Sequence, residues 1–117
     1  MITTKTHGYI DYLMGILLII LPFIANFPRG AATTIPVILG LGTIMYSLIT
    51  DYELSVANLI TVKMHLALDL IAGVLLAVSP WVFGFSEEIY LPFLILGIGE
   101  IIASLMTSKK RRYPLKP

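Results

Sequence analysis

Two histidine–aspartate pairs have the residue types and the spacing best suited to chemistry. His7 precedes Asp11 by four positions, and His65 precedes Asp69 by the same spacing. Residues four apart project from one face of a helix, so each pair can form a hydrogen bond. A third acid, Glu100, lies in a long apolar stretch, where an ionisable side chain is costly and tends to mark a functional site.

The elements that must position these side chains are membrane helices. Of the 117 residues, 57% are hydrophobic and 13% are charged, and the mean hydropathy is +0.91. Soluble domains carry about a quarter charged residues. Four apolar stretches have roughly the length that spans a bilayer: Tyr9–Phe27, Thr33–Thr50, Met64–Phe85 and Ile89–Thr107. Because the chain has no cysteine, disulfides, thiolate metal sites and thiol chemistry are excluded.

The two halves of the chain repeat each other. An offset of 58 aligns His7 with His65, Asp11 with Asp69, Gly15 with Gly73 and Pro22 with Pro80, and an offset of 57 aligns Gly40, Gly42, Ser47 and Thr50 with Gly97, Gly99, Ser104 and Thr107. Each half contains two crossings, so the second half enters the membrane from the same side as the first. The sequence predicts an all-α integral membrane four-helix bundle of two tandem parallel two-helix repeats, residues 1–58 and 59–117, forming one domain.

Basic residues predict the orientation, because lysine and arginine are retained on the cytoplasmic side. Arg29 alone falls on the side of the two outer turns. The other basic residues share the side of the termini and the central loop: Lys5, Lys63, Lys109, Lys110, Arg111, Arg112 and Lys116. We therefore expect both termini in the cytoplasm, with the basic tail as a topology anchor. Nucleic-acid binding is not expected, since that tail is short.

Several motifs carry a resemblance to a known family. They are Ser79-Pro80-Trp81 with its counterpart Leu21-Pro22-Phe23, His7 through Leu13, and Thr50 through Leu54. The chain resembles the SPW-repeat family of bacterial integral membrane proteins over nearly its full length. That resemblance implies a Ser-Pro-Trp motif in the first helix of each two-helix repeat, an inner-membrane location and no particular activity. The first repeat departs from the motif, since it lacks both the serine and the tryptophan.

The prolines, aromatic residues and glycines favour structural roles. Pro22 and Pro80 are expected to kink or end their helices. Trp81 is expected in an interfacial aromatic belt with Phe83, Phe85 and Tyr90. Small residues at helical spacing predict seams of close helix packing: Gly15, Gly40, Gly73 with Ala77, and Gly99 with Ala103.

The polar residues at similar depth are expected to converge as one layer in the cytoplasmic third of the bundle: His7, Asp11, Thr43, Ser47, His65, Asp69, Glu100 and Ser104. Four interpretations of this layer are open. The first makes it structural, in a small accessory membrane component that could form a homo-oligomer or bind a membrane-protein partner. The second makes it a proton- or ion-handling site of a small permeation element.

The third interpretation is a cofactor site, in which His7 and His65 bind haem, or the histidines and carboxylates bind a transition metal. The fourth is catalysis, which the sequence does not support, because no nucleophile, base and orienting group occur together. The structural interpretation is preferred, with the permeation element as its alternative. The preferred prediction therefore includes no cofactor, no metal and no enzymatic activity.

Overall fold

The computed structural model describes residues 2–50, 55–57 and 59–107 and has four helices in that part of the chain. They are α1 (Thr4–Ile24), α2 (Ala31–Leu48), α3 (Val62–Val82) and α4 (Leu91–Met106). The first three are long and apolar enough to cross a membrane, and α4 is a shorter apolar helix of 16 residues. The predicted all-α membrane bundle is confirmed.

Threonine caps fix where the first helix of each half begins. The side chain of Thr3 accepts a hydrogen bond from the Thr6 amide, and Thr61 does the same for the Met64 amide. Such caps satisfy amides that have no partner inside the helix. As a result α1 begins well before the predicted Tyr9, and both histidines lie inside regular helix.

The same two helices also end alike, in a turn that follows each proline. Beyond Pro22, Asn26 adopts a φ of 53°, and beyond Pro80, Gly84 adopts a φ of 77°. The Phe27 amide donates to the Pro22 carbonyl at 2.9 Å, and the Phe85 amide donates to the Pro80 carbonyl at 2.8 Å. This left-handed cap turns both phenylalanines inward.

The aromatic belt predicted from sequence is therefore wrong for one member. Phe85 is only 5% exposed and packs on Phe93, with ring centroids 4.9 Å apart. Trp81 and Phe83 are exposed as expected, and the Trp81 ring lies 5.8 Å from Tyr90. The helix cap described above explains the difference, because it reverses the chain just before Phe85.

Close helix crossings hold each half together as a hairpin, α1 with α2 and α3 with α4. A Cβ atom at Gly40 would lie 2.6 Å from the Gly15 carbonyl oxygen, and one at Gly97 would lie 2.6 Å from that of Gly73. Only glycine fits such contacts. The predicted seam at Gly99 is wrong, because a Cβ atom there would meet nothing within 4 Å. Gly97 occupies that seam instead, on the opposite face of α4.

An apolar core fills the end of the bundle near the proline turns. Its buried residues are Leu18, Phe27, Ala32, Leu76, Phe85 and Phe93. Large apolar side chains also cover the outside of every helix, and Leu13, Ile38, Ile71 and Ile95 are each at least 60% exposed. An apolar surface of this extent suits lipid and not water.

Some sequence predictions fall outside the described residues. They concern the Asp51–Leu54 part of the family motif and the basic residues Lys109, Lys110, Arg111, Arg112 and Lys116. The repeat boundary at residue 58 and the cytoplasmic placement of the termini stay predictions.

Candidate functional site: a buried histidine–aspartate cluster

The four residues of the two sequence pairs meet at the opposite end of the bundle from the apolar core. His7, Asp11, His65 and Asp69, which we call the His–Asp cluster, are each at most 2% exposed. The shorter contacts run between the hairpins: His7 Nε2 to Asp69 Oδ2 and His65 Nε2 to Asp11 Oδ2, both 2.5 Å. Within each helix the corresponding Nε2 to Oδ2 distance is 3.1 Å. The four atoms therefore form a closed ring.

Two threonines just beyond the ends of α2 and α4 hold the other side of each imidazole. Thr107 Oγ1 lies 2.7 Å from His7 Nδ1, and Thr50 Oγ1 lies 2.7 Å from His65 Nδ1. Each hydroxyl also donates its proton, at 2.6 Å, to the carbonyl of Ala103 or of Tyr46. A hydroxyl carries one proton. Each Nδ1 must therefore be protonated and donate to its threonine.

Tyr46 completes the surroundings of one aspartate. Its hydroxyl donates to Asp69 Oδ1 and lies 3.3 Å from Thr43 Oγ1. The predicted polar residue Thr43 therefore belongs to the site through Tyr46. Both oxygens of Asp69 have partners, one in the ring and one on α2.

The other aspartate lacks this support. In the 57-residue register the counterpart of Tyr46 is Ala103, and the counterpart of Thr43 is Glu100. Asp11 Oδ1 and both carboxyl oxygens of Glu100 are buried without a hydrogen-bond partner, and Glu100 is 5% exposed. The Glu100 carboxyl neighbours that of Asp11, and the two can share a hydrogen bond only when one of them carries a proton. The four ring residues are therefore arranged symmetrically, whereas the residues that surround the two aspartates differ.

The two serines predicted for the polar layer, Ser47 and Ser104, are buried near the site but are not part of the ring. Ser104 is buried and donates to the Glu100 backbone carbonyl at 2.9 Å, whereas the buried Ser47 hydroxyl has no hydrogen-bond partner. Neither hydroxyl is hydrogen-bonded to the His–Asp cluster.

The family-motif residues lie apart from the cluster. Ser79 and Pro80 are buried about 20 Å further along α3 than His65, at about 1.5 Å per residue. Ser79 donates to the Leu76 carbonyl at 2.8 Å. In the first repeat Pro22 is buried and Phe23 is 67% exposed. The motif is therefore part of the helix ends, as expected.

The geometry narrows the cofactor interpretation. Among the described residues, the cluster supplies four nitrogen and oxygen atoms that all lie within 4.8 Å of one another. Haem would need its porphyrin ring between the two histidines, and both carboxylates occupy that space, within 3.1 Å of both Nε2 atoms. A single metal ion has no such requirement.

Sequence reasoning missed three residues of the site, namely Tyr46, Thr50 and Thr107. A signal existed for the threonines, since they match each other in the repeat register next to the helix ends. Tyr46 gave no such signal, because its counterpart is alanine.

The fold and this site together define a multi-pass α-helical membrane protein with an ionisable cluster in its interior. The SPW repeat domain matches residues 5–107, and the chain belongs to that family. The matched range covers α1 from its second residue, all of α2, α3 and α4, and both histidines. Neither the curated proteins nor the solved structures gave a match to this chain.

Proposed function

We propose that this chain is a structural or accessory component of the bacterial inner membrane, in which the His–Asp cluster locks two helical hairpins together. The observation that carries the proposal is the direction of the contacts. Each histidine makes its shorter aspartate contact and its threonine contact with the opposite hairpin. Removing one partner of a buried ion pair is strongly destabilising, because it leaves the other charge buried and uncompensated.

Backbone contacts support the same lock. The Ile2 amide donates to the Met106 carbonyl at 2.9 Å, and the Ile60 amide donates to the Ile49 carbonyl at 3.0 Å. Both bonds join one hairpin to the other beside the cluster. Elsewhere the hairpins meet through α2 and α3 and through the apolar core, where the Phe27 and Phe93 ring centroids lie 5.5 Å apart. The polar end therefore supplies the directional contacts between the halves, and the apolar end supplies packing.

The interior favours a lock over an ion pathway. A cavity of about 10 Å³ lies beside Glu100 and Thr43, which is room for about one water molecule. Leu18 and Leu76 separate it from a second small cavity lined by apolar side chains, including Phe93. A proton- or ion-coupled permeation element would need polar groups through this outer half.

The proposal includes no enzymatic activity and no nucleic-acid partner, and it allows a homo-oligomer or a membrane-protein partner. Both termini are proposed to face the cytoplasm, on the charge asymmetry of the loops. Single cysteines can test this orientation, because the natural chain has none. An impermeant maleimide added to intact cells should label Glu87→Cys and spare Val56→Cys, and both positions are exposed. The reverse labelling would overturn the orientation.

The lock itself is tested with the Asp69→Asn variant of the full chain in mixed detergent micelles and in liposomes. We expect the variant to insert but to unfold at much lower SDS than the parent. The exposed carboxylate variant Glu88→Gln is the control and should behave as the parent. If Asp69→Asn keeps its stability while the parent passes protons into liposomes and the variant does not, the site is a relay and the lock is wrong.

A further inference from the structure

The ring of the His–Asp cluster has the composition of a metal-binding site. It alternates two imidazole nitrogens, His7 Nε2 and His65 Nε2, with two carboxylate oxygens, Asp11 Oδ2 and Asp69 Oδ2. We propose that these four atoms bind one divalent first-row transition metal ion. The ion is not needed for the hairpin lock, so this inference goes beyond the proposed function.

The threonine contacts assign metal binding to Nε2, the ring nitrogen that faces both aspartates. Because Thr107 and Thr50 each accept a proton from an Nδ1, a neutral imidazole at either position has its lone pair on Nε2. Metal-binding histidines nearly always donate their other ring N–H to a neighbouring acceptor in this way, which fixes the orientation of the ring. Both histidines of the cluster have such an acceptor, which is Thr107 for His7 and Thr50 for His65.

Charge supports a divalent ion. In the metal-free lock the two histidines balance the two aspartates as imidazolium ions. A divalent cation that displaces both Nε2 protons takes over that balance, so the summed charge of the four residues and the ion stays near zero. Hydrogen bonding alone leaves acceptors over: Asp11 Oδ1 and both Glu100 oxygens are buried with no hydrogen-bond partner. These atoms lie on the side of the cluster where Ala103 replaces a tyrosine.

The distances require only a small adjustment. A tetrahedral ion with bonds of about 2.1 Å needs ligand atoms about 3.4 Å apart. Neighbouring atoms of the ring are 2.5 and 3.1 Å apart. The shorter contacts must therefore open by about 0.9 Å (3.4 minus 2.5) and the longer ones by about 0.3 Å (3.4 minus 3.1) when the ion binds. Imidazole and carboxylate ligands without thiolate suit Zn²⁺, Fe²⁺, Co²⁺ or Mn²⁺ and disfavour Cu⁺.

The test uses the full-length chain, purified in detergent with a tag that contains no histidine and freed of metal with EDTA. Co²⁺ is added while its visible absorption bands are recorded, and bound metal is counted by elemental analysis. We expect one Co²⁺ per chain, displaced by Zn²⁺, and X-ray absorption of the bound ion should show only nitrogen and oxygen ligands. Absence of binding by the parent chain would overturn the proposal.

Variants decide where the ion sits. His7→Gln and Asp69→Asn should lose the Co²⁺ bands, while the exposed Glu88→Gln keeps them. Because ring variants can fail to fold, Thr50→Val provides a second test outside the ring. It removes the acceptor of His65 Nδ1–H, and we expect metal affinity to fall about tenfold. Full binding in folded His7→Gln and Asp69→Asn would place the ion elsewhere and overturn the proposal.

The hairpin lock and the metal site can fail separately. The lock is judged by the stability of metal-free protein, and the metal site by stoichiometry and spectrum. A stable bundle that binds no ion would refute only the metal site.

Discussion

The two hairpins are nearly alike in the parts that build the ring and unlike in the parts behind it. Each contributes a histidine, an aspartate four residues later and a threonine at the end of its second helix. Behind the ring the equivalent positions differ: Tyr46 of the first hairpin corresponds to Ala103, and Glu100 of the second corresponds to Thr43. Asp69 is therefore satisfied on both oxygens, whereas Asp11 has one oxygen without a partner. The residues that form the ring are the same in both hairpins. The residues behind it differ, so the two aspartates have different environments.

The largest expected effect comes from removing a ring charge, and it should differ between the two aspartates. In metal-free protein we expect Asp69→Asn to cost about 3 kcal/mol of unfolding free energy, because a buried ion pair loses one partner. Asp11→Asn should cost about 1 kcal/mol less, since its new amide can donate to the otherwise unpartnered Glu100. SDS titration in mixed micelles measures both. Equal losses would contradict the difference between the hairpins.

A glycine pair on α4 tests the crossing of the second hairpin. Gly97→Ala should cost about 1–3 kcal/mol, because its Cβ atom would press on backbone atoms of Gly73 and Ala77. Gly99→Ala is the matched control two residues away and should change stability by less than about 1 kcal/mol. The same titration compares them. Similar losses at both positions would show that the crossing is not as close as described.

Tyr46→Phe removes the hydroxyl that donates to Asp69 Oδ1. Each aspartate would then have one carboxylate oxygen without a hydrogen-bond donor. We expect a loss of about 1–2 kcal/mol, because a buried carboxylate oxygen is left without its donor. The exposed Tyr9→Phe is the control and should be neutral. An unchanged Tyr46→Phe would mean that the hydroxyl contributes nothing to holding Asp69.

Glu100→Gln should have the smallest effect and the opposite sign. Its amide can donate to Asp11 Oδ1, so we expect stability to stay equal or rise by up to about 1 kcal/mol. The measurement is the SDS midpoint of the metal-free variant against that of Glu88→Gln. A loss above about 2 kcal/mol would show that the Glu100 carboxyl already has a stabilising partner.

Much of the fold followed from the sequence, because its signals are local. Hydropathy gave α2, α3 and α4 to within three residues at each end and placed the start of α1 five residues late. The i, i+4 spacing placed His7 with Asp11 and His65 with Asp69. The repeat register indicated that the two pairs occupy equivalent places. The family resemblance, carried mainly by Ser79-Pro80-Trp81, is confirmed by the match over residues 5–107.

The parts of the site and of the helix packing that the sequence did not predict depend on how the helices face each other. Spacing along one helix cannot show that each histidine lies closer to the aspartate of the other hairpin. Nor can it separate Gly97 from Gly99, which differ only in the face of α4 they occupy. Tyr46 was missed for a related reason, since its contact with Asp69 crosses from α2 to α3. Such contacts are properties of packing and not of local pattern.

The unequal helix lengths have a consequence for the lipid around the protein. At about 1.5 Å per residue, the 21 residues of α1 and α3 extend about 31 Å, whereas the 16 residues of α4 extend about 24 Å. The hydrocarbon layer of a typical bilayer is about 30 Å thick. A hydrophobic helix shorter than the bilayer core can be matched by thinning of the lipid beside it, at a cost of a fraction of a kcal/mol per ångström of mismatch. We therefore expect a thinner bilayer beside α4 than beside α1 and α3.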